Sequence, residues 1–89
     1  MYFGGQRQLV TEVATQGRAR EHNQWVTEFD LTCTLDGETW TKIGNFKGNK
    51  DMETIVYNKL AKPEWCRAVR FVPLQWNNHI SMRAEVYYS

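Results

Sequence analysis

The strongest constraint on the fold is an alternation of apolar and polar side chains along residues 25–35. One face of this segment carries Trp25, Thr27, Phe29, Leu31, Cys33 and Leu35, and the other carries Val26, Glu28, Asp30, Thr32 and Thr34. A period of two is typical of an antiparallel strand with one buried and one solvated face. Asp36-Gly37 follows and predicts a hairpin turn, because glycine accepts a positive φ. The return strand is predicted at 40–43.

Several shorter segments also have strand character, and polar or turn-rich stretches separate them. Strands are predicted at 9–16, 53–60, 66–72 and 80–88, with loops at 18–24, 44–51, 61–64 and 74–79. Pro73 is expected to end its strand, because proline cannot donate a ladder hydrogen bond. In the last strand, Ile80, Met82, Ala84 and Val86 are expected on one face, and Arg83, Glu85 and Tyr87 on the other. No window shows sustained helical periodicity, so the pattern indicates an all-β sandwich or barrel.

The bulk composition excludes several functional classes. The chain has 89 residues, with 11 basic and 10 acidic side chains and a formal net charge of +1. This near-balance argues against a partner such as nucleic acid, whose binders normally carry a clear basic excess. No apolar run approaches the length of a membrane span, and the N-terminus lacks the pattern of a signal peptide. The length allows a single small domain.

The two cysteines, Cys33 and Cys66, lack the spacing of a zinc site. Cys33 lies on the predicted core face of its strand, whereas Cys66 has the opposite parity to Val69 and Phe71. This parity predicts one buried thiol and one thiol near the surface, and a disulfide between them would have poor geometry. The sequence leaves the redox state of the two cysteines open.

Five fragments, in order along the chain, resemble the discoidin family, also known as the coagulation-factor 5/8 type C domain. They are residues 10–18 (VTEVATQGR), 25–40 (WV, then DG and W), 46–51 (FKGNKD), 58–60 with 67–73 (NKL and RAVRFVP), and 76–87 (WNNHISMRAEVY). The resemblance implies a jelly-roll β-sandwich that binds ligands through a rim of loops at one end. It further implies a secreted or cell-surface adhesion module that recognises carbohydrate, phospholipid head groups or protein.

The resemblance covers only the C-terminal part of the family's domain. Residues 1–89 are therefore expected to form a partial discoidin domain that lacks the N-terminal strands and belongs to a longer extracellular protein. A sandwich without those strands leaves ladder edges open, and these edges are expected to self-associate.

Two groups of residues are candidate ligand contacts on this resemblance. The first is the polar loop with Arg18, Arg20, Glu21 and His22, which offers charge-assisted hydrogen bonds to an anionic lipid head group, an acidic glycan or an acidic protein. The second is Trp76, Asn78, His79 and Arg83, which border the same rim. The alternative for the first group is an ordinary solvated loop. For the second, Trp76 would plug the sandwich and Arg83 would hold a carboxylate.

Catalytic signals are missing from the sequence. It contains no nucleophile elbow and no glycine-rich phosphate loop, and its two histidines show no metal-binding spacing. We therefore expect neither an enzyme nor a bound cofactor or metal. The alternatives to an adhesion module are a structural remnant and an accessory domain of a larger enzyme or receptor.

Overall fold

The computed structural model describes residues 1–17, 25–51, 53–77 and 82–89. These residues form six strands and no helix. The strands are β1 (Gln8–Gln16), β2 (Trp25–Thr34), β3 (Thr41–Lys47), β4 (Val56–Cys66), β5 (Ala68–Asn77) and β6 (Arg83–Tyr88). The described ranges therefore contain no helix that is long and apolar enough to cross a bilayer.

The strands form two antiparallel three-stranded sheets, in the orders β4-β1-β6 and β3-β2-β5. The core between the sheets centres on Phe29, whose ring lies 5.6 Å from that of Phe46 and 5.5 Å from that of Phe71. The other buried residues of this core cluster are Val10, Val13, Val26, Leu31, Cys33, Leu60, Cys66, Val69 and Val86. The predicted all-β sandwich is confirmed.

Strand β2 confirms the predicted alternation at Phe29, Leu31 and Cys33, which are buried. The alternation is wrong near the start of the strand, because Val26 is buried and Trp25 is only partly buried. Val26 lies opposite Trp76 and Glu28 opposite Gln75, so Thr27 is an extra residue on β2. This bulge reverses which side chains face the core.

At the end of β2, the predicted burial is again wrong. Leu35 is exposed because the strand ends at Thr34, which is itself buried. The Thr34 hydroxyl accepts a hydrogen bond from the Gly37 N–H. Gly37 has a φ of +86°, and β2 pairs with β3, so the predicted hairpin is confirmed.

Both prolines lie inside strands. Residues 61–64 and 74–77, which were predicted as loops, belong to β4 and β5, and the prediction that Pro73 ends its strand is wrong. Residues 78 and 79 of the second predicted loop lie outside the described part of the chain. Residues 60–63 form a bulge in β4 opposite the single residue Thr11, and Pro63 lies in it. Pro73 pairs with Phe29 beside another irregularity, where Leu74 is the extra residue. Since β4 and β5 are both edge strands, a missing N–H there costs little.

Cys33 and Cys66 form a disulfide, with their Cα atoms 5.6 Å apart. The predicted separation of the two thiols is therefore wrong. Cys66 is the last residue of β4, and the chain crosses to the other sheet at Arg67, before β5 begins. Side chains alternate between two faces only along one strand. Because Cys66 and Val69 lie in strands of different sheets, the spacing between them does not tell which way the Cys66 side chain points. The disulfide consequently joins the two sheets through the core.

Candidate functional site at the Trp25–Trp76 end of the sandwich

An open hollow lies where three strand ends meet in the β3-β2-β5 sheet. The antiparallel register places Trp25, the first residue of β2, opposite Asn77, the last residue of β5. Strand β3 ends beside them at Lys47. The hollow has a volume of about 550 Å³. We call it the rim hollow; its lining is Trp25, Thr27, Glu28, Lys47, Gly48, Asn49, Lys50, Gln75, Trp76 and Asn77.

The turn after β3 forms one wall of the rim hollow and is tied to β2. The Gly48 N–H donates to the Thr27 carbonyl at 2.8 Å, and the Asn49 N–H donates to the Val26 carbonyl at 2.8 Å. A Cβ atom on residue 48 would collide with the Val26 carbonyl oxygen, so glycine is required here. The turn is thus held at the bulge in β2.

Asn49 fixes the same turn to the second sheet. Its side chain is 1% exposed and donates to the carbonyls of Thr15 and Thr54, at 3.0 and 2.7 Å. The Asn49 Oδ1 atom has no hydrogen-bond partner among the described residues. Asp51 completes the turn by accepting from the Thr54 N–H at 2.7 Å, and this contact lowers the pKa of its carboxyl. The wall of the rim hollow is therefore rigidly positioned.

The lining of the rim hollow combines aromatic, amide and charged groups. Trp76 is 45% exposed, and Trp25 is partly buried. The Lys47 Nζ lies 3.9 Å from the Glu28 Oε2, and Lys50 is exposed nearby. Indole rings offer apolar surface, while amides, ammonium and carboxylate groups direct hydrogen bonds to hydroxyls. This combination suits a small polar ligand with one apolar face.

Of the predicted contacts, Trp76 lines the rim hollow. Among the described residues its side chain is exposed, which argues against the alternative that it plugs the end of the sandwich. Six other predicted residues lie outside the described ranges: Arg18, Arg20, Glu21, His22, Asn78 and His79. Segment 18–24 runs directly into Trp25, and segment 78–81 follows directly from Asn77. Their contribution to the site stays a prediction.

Arg83 does not line the rim hollow. It is exposed on β6 in the other sheet, beside a depression of about 180 Å³ that also contains Tyr57 and Tyr87. Burial and the nearby charges of Tyr57 and Glu85 raise the pKa of Tyr87. No carboxylate of the described residues lies within ion-pair distance of Arg83. The alternative that Arg83 holds a carboxylate therefore finds no support in this part of the chain.

The sequence did not identify Trp25, Lys47 and Gln75 as site residues. Trp25 belonged to the predicted core face, and only the bulge at Thr27 directs it to the rim. Gln75 lay in a predicted loop that is part of β5. The turn signal GNKD at 48–51 could have pointed to Lys50, because a tight turn at a strand end commonly lies at the rim of a sandwich.

Comparisons with known proteins agree with this architecture. A family model for the F5/8 type C domain matches residues 3–86. Discoidin-2 of Dictyostelium discoideum is 40% identical over 78 residues, which covers 84% of this chain and 30% of that protein. Neurexin-4 of Drosophila melanogaster is 37% identical over 90 residues, or 93% of this chain and 7% of that protein.

A solved structure shows the same fold. Recombinant discoidin II of Dictyostelium discoideum superposes with a TM-score of 0.88 and 34% sequence identity. The superposition covers 96% of this chain and 34% of that chain, so the present sequence spans about a third of the protein it resembles.

Proposed function

Because the chain belongs to the F5/8 type C (discoidin) family, a family of binding modules, we propose that it recognises a glycan in the rim hollow. In this proposal it acts outside the cell, as a non-enzymatic adhesion module within a longer protein. The rim hollow at one end of the sandwich is the observation that carries the proposal.

The chemistry of the rim hollow favours a sugar ring. A pyranose has an apolar face of C–H groups and a periphery of hydroxyls. The apolar face matches the exposed surface of Trp76. The hydroxyls match the amides of Gln75 and Asn77 and the charged pair Lys47–Glu28. Because the turn at Gly48–Asn49 is anchored to both sheets, the site loses little entropy when a ligand binds.

The disulfide supports an extracellular location. Structural disulfides form and persist in oxidising compartments and are rare in the cytosol. Cys33 and Cys66 are both buried and joined across the core, as expected for a structural bond.

A glycan array followed by calorimetric titration of the glycan bound most strongly tests the proposal. Trp76→Ala removes the exposed indole of the rim hollow and should weaken binding at least tenfold, which corresponds to about 1.4 kcal/mol. Trp65→Ala is the matched control, because Trp65 is similarly exposed, at 56%, but lies on β4 away from the hollow. Equal losses in both variants would reject the assignment of the site.

An anionic phospholipid head group is the second candidate ligand. The observation in its favour is the pair of exposed ammonium groups, Lys47 and Lys50, beside the exposed Trp76. Sedimentation with vesicles of phosphatidylserine and phosphatidylcholine separates the two ligands. Binding to these vesicles without binding to any glycan would replace the glycan proposal, and binding to neither would favour a structural remnant or an accessory domain.

A further inference from the structure

A second hollow opens between the two sheets, at the end of the sandwich opposite the rim hollow. It lies where β2 ends, β3 begins and β4 ends, and it has a volume of about 390 Å³. We call it the β3–β4 hollow; its lining is Cys33, Leu35, Asp36, Thr39, Thr41, Ile43, Glu64 and Trp65. Since β3 and β4 are edge strands, the hollow is open to the side of the sandwich.

The β3–β4 hollow lies away from the N-terminal residues and from the segments outside the described ranges. Residues 1–3 pair with the start of β5, which is the opposite edge of its sheet from β3. Segments 18–24 and 78–81 and residue 52 continue from strand ends or from the turn at the rim hollow. Every residue of the lining of the β3–β4 hollow is therefore a described one.

The strand register directs the Glu64 side chain into this hollow. Glu64 lies opposite Val10 of β1, and Val10 is fully buried in the core. Residues directly opposite in an antiparallel pair point to the same face of the sheet. The half-buried Glu64 carboxylate therefore points between the two sheets, as do the buried side chains of Leu60 and Cys66 on the same strand.

The Glu64 carboxylate has no cationic partner among the described residues. The ion pairs of this part of the chain are Lys42–Asp30 and Lys47–Glu28, and neither belongs to the lining. The lining itself contains no lysine, arginine or histidine. An inward-facing carboxylate without a neutralising charge favours a cationic ligand.

Asp36 adds a second negative charge to the hollow. Its Oδ1 atom accepts from the backbone N–H groups of Glu38 and Thr39, both at 2.7 Å. These bonds lower the pKa of Asp36 to about 2, so the carboxylate is ionised at neutral pH. The apolar part of the lining includes Leu35 and Ile43, which offer contact to the methylene groups of a long basic side chain.

We propose that the β3–β4 hollow binds a lysine or arginine side chain from a basic segment of a partner protein. The aliphatic stem packs against Leu35 and Ile43, and the cationic head meets the carboxylates of Glu64 and Asp36. Charge complementarity selects this occupant, because the lining carries two carboxylates and no basic group to receive an anion. The site lies at the other end of the sandwich from the rim hollow, so it is independent of glycan binding there.

A ¹⁵N–¹H titration of the full 89-residue chain with the peptide acetyl-Gly-Ser-Arg-Ser-Gly-amide tests the site. A single side chain in an open hollow should bind with a dissociation constant on the order of 1 mM, and the backbone signals of Thr41 and Ile43 should shift. The same peptide with lysine should also bind. A peptide with citrulline in place of arginine keeps the shape without the charge and should bind at least roughly tenfold more weakly.

Glu64→Gln removes the inward carboxylate and should weaken binding of the arginine peptide at least roughly tenfold. Glu38→Gln is the matched control, because it removes the same charge from an exposed residue that adjoins Thr39 but does not line the hollow. Glu64→Lys should reverse the preference and bind acetyl-Gly-Ser-Glu-Ser-Gly-amide instead. Urea unfolding of each variant shows whether it stays folded.

Four results would overturn the assignment of the β3–β4 hollow. They are no shift at about 20 mM arginine peptide, equal affinity for the arginine and citrulline peptides, equal losses in Glu64→Gln and Glu38→Gln, and shifts confined to the rim hollow around Trp25 and Trp76. The last result would place the basic side chain at the other end of the sandwich.

Discussion

Removal of the disulfide should cost the chain a large part of its stability. In the chain-entropy model, a cross-link restricts the unfolded state according to the number of residues in the loop that it closes. Cys33 and Cys66 are 33 residues apart. This separation gives an entropy change of about 12.5 cal/mol/K, or about 3.7 kcal/mol at 298 K. Since small domains are stable by only about 5–15 kcal/mol, C33A/C66A should be marginally folded.

Urea unfolding followed by tryptophan fluorescence measures this loss. The free energy of unfolding of C33A/C66A should be lower by about 3–4 kcal/mol. This free energy should also fall more steeply with urea concentration than in the unsubstituted chain, because an unfolded chain without the cross-link exposes more surface. The reducing agent TCEP should lower the stability of the native chain to a similar degree and leave C33A/C66A unchanged.

Two results would refute this reasoning. One is an unchanged free energy of unfolding in C33A/C66A. The other is the detection of two free thiols in the unsubstituted chain after it is denatured without reductant. This result would show that the cysteines are not joined.

Three further predictions concern the turns and the rim. Gly48→Ala forces a Cβ atom against the Val26 carbonyl oxygen, so the free energy of unfolding in urea should fall by roughly 1–3 kcal/mol. An unchanged free energy of unfolding would contradict the requirement for glycine at this position. The backbone N–H groups of Thr39 and Glu38 lower the pKa of Asp36 from 3.8 to about 2. Its contribution to stability is therefore complete above pH 4 and is lost as the pH falls through about 2, so Asp36→Asn should flatten the pH dependence of the melting temperature in that range. R18Q/R20Q should weaken binding of an acidic glycan, measured by calorimetry, and unchanged affinity would remove this loop from the site.

The architecture could be predicted because period-two alternation reports local burial directly. Phe29, Leu31 and Cys33 of β2 and Val86 of β6 face the core as their spacing indicates. The turn at Asp36-Gly37 can likewise be predicted from the sequence, since it depends on the conformational freedom of one glycine. Ile80, which shared the predicted inward face of β6, lies outside the described residues.

The sequence predicts burial and loops wrongly where pairing between strands that are distant in the chain overrides the local alternation of side chains. The extra residue Thr27 reverses the faces of Trp25 and Val26, and only the register against β5 reveals it. Pro63 and Pro73 suggested loops, but each lies at an irregularity of an edge strand. Such features depend on partners far away in sequence, which a single segment does not encode.

The site was only partly predictable for the same reason. Trp76 was identified through its family resemblance, whereas Lys47 and Gln75 gain their place from the alignment of three strand ends. The disulfide cannot be predicted from parity, because side chains alternate only within one strand and the chain changes sheets at Arg67.

The tryptophan side chains allow the most direct test of glycan binding in the rim hollow. The chain contains four, and Trp25 and Trp76 line the hollow, whereas Trp40 contacts Arg70 and Trp65 lies on β4. Each indole N–H gives a separate signal in a ¹⁵N–¹H correlation spectrum, so one titration with the bound glycan reports on all four. We expect the signals of Trp25 and Trp76 to shift with increasing glycan, and those of Trp40 and Trp65 to stay in place. Shifts confined to Trp40 or Trp65, or binding that moves none of the four, would contradict glycan recognition in the rim hollow.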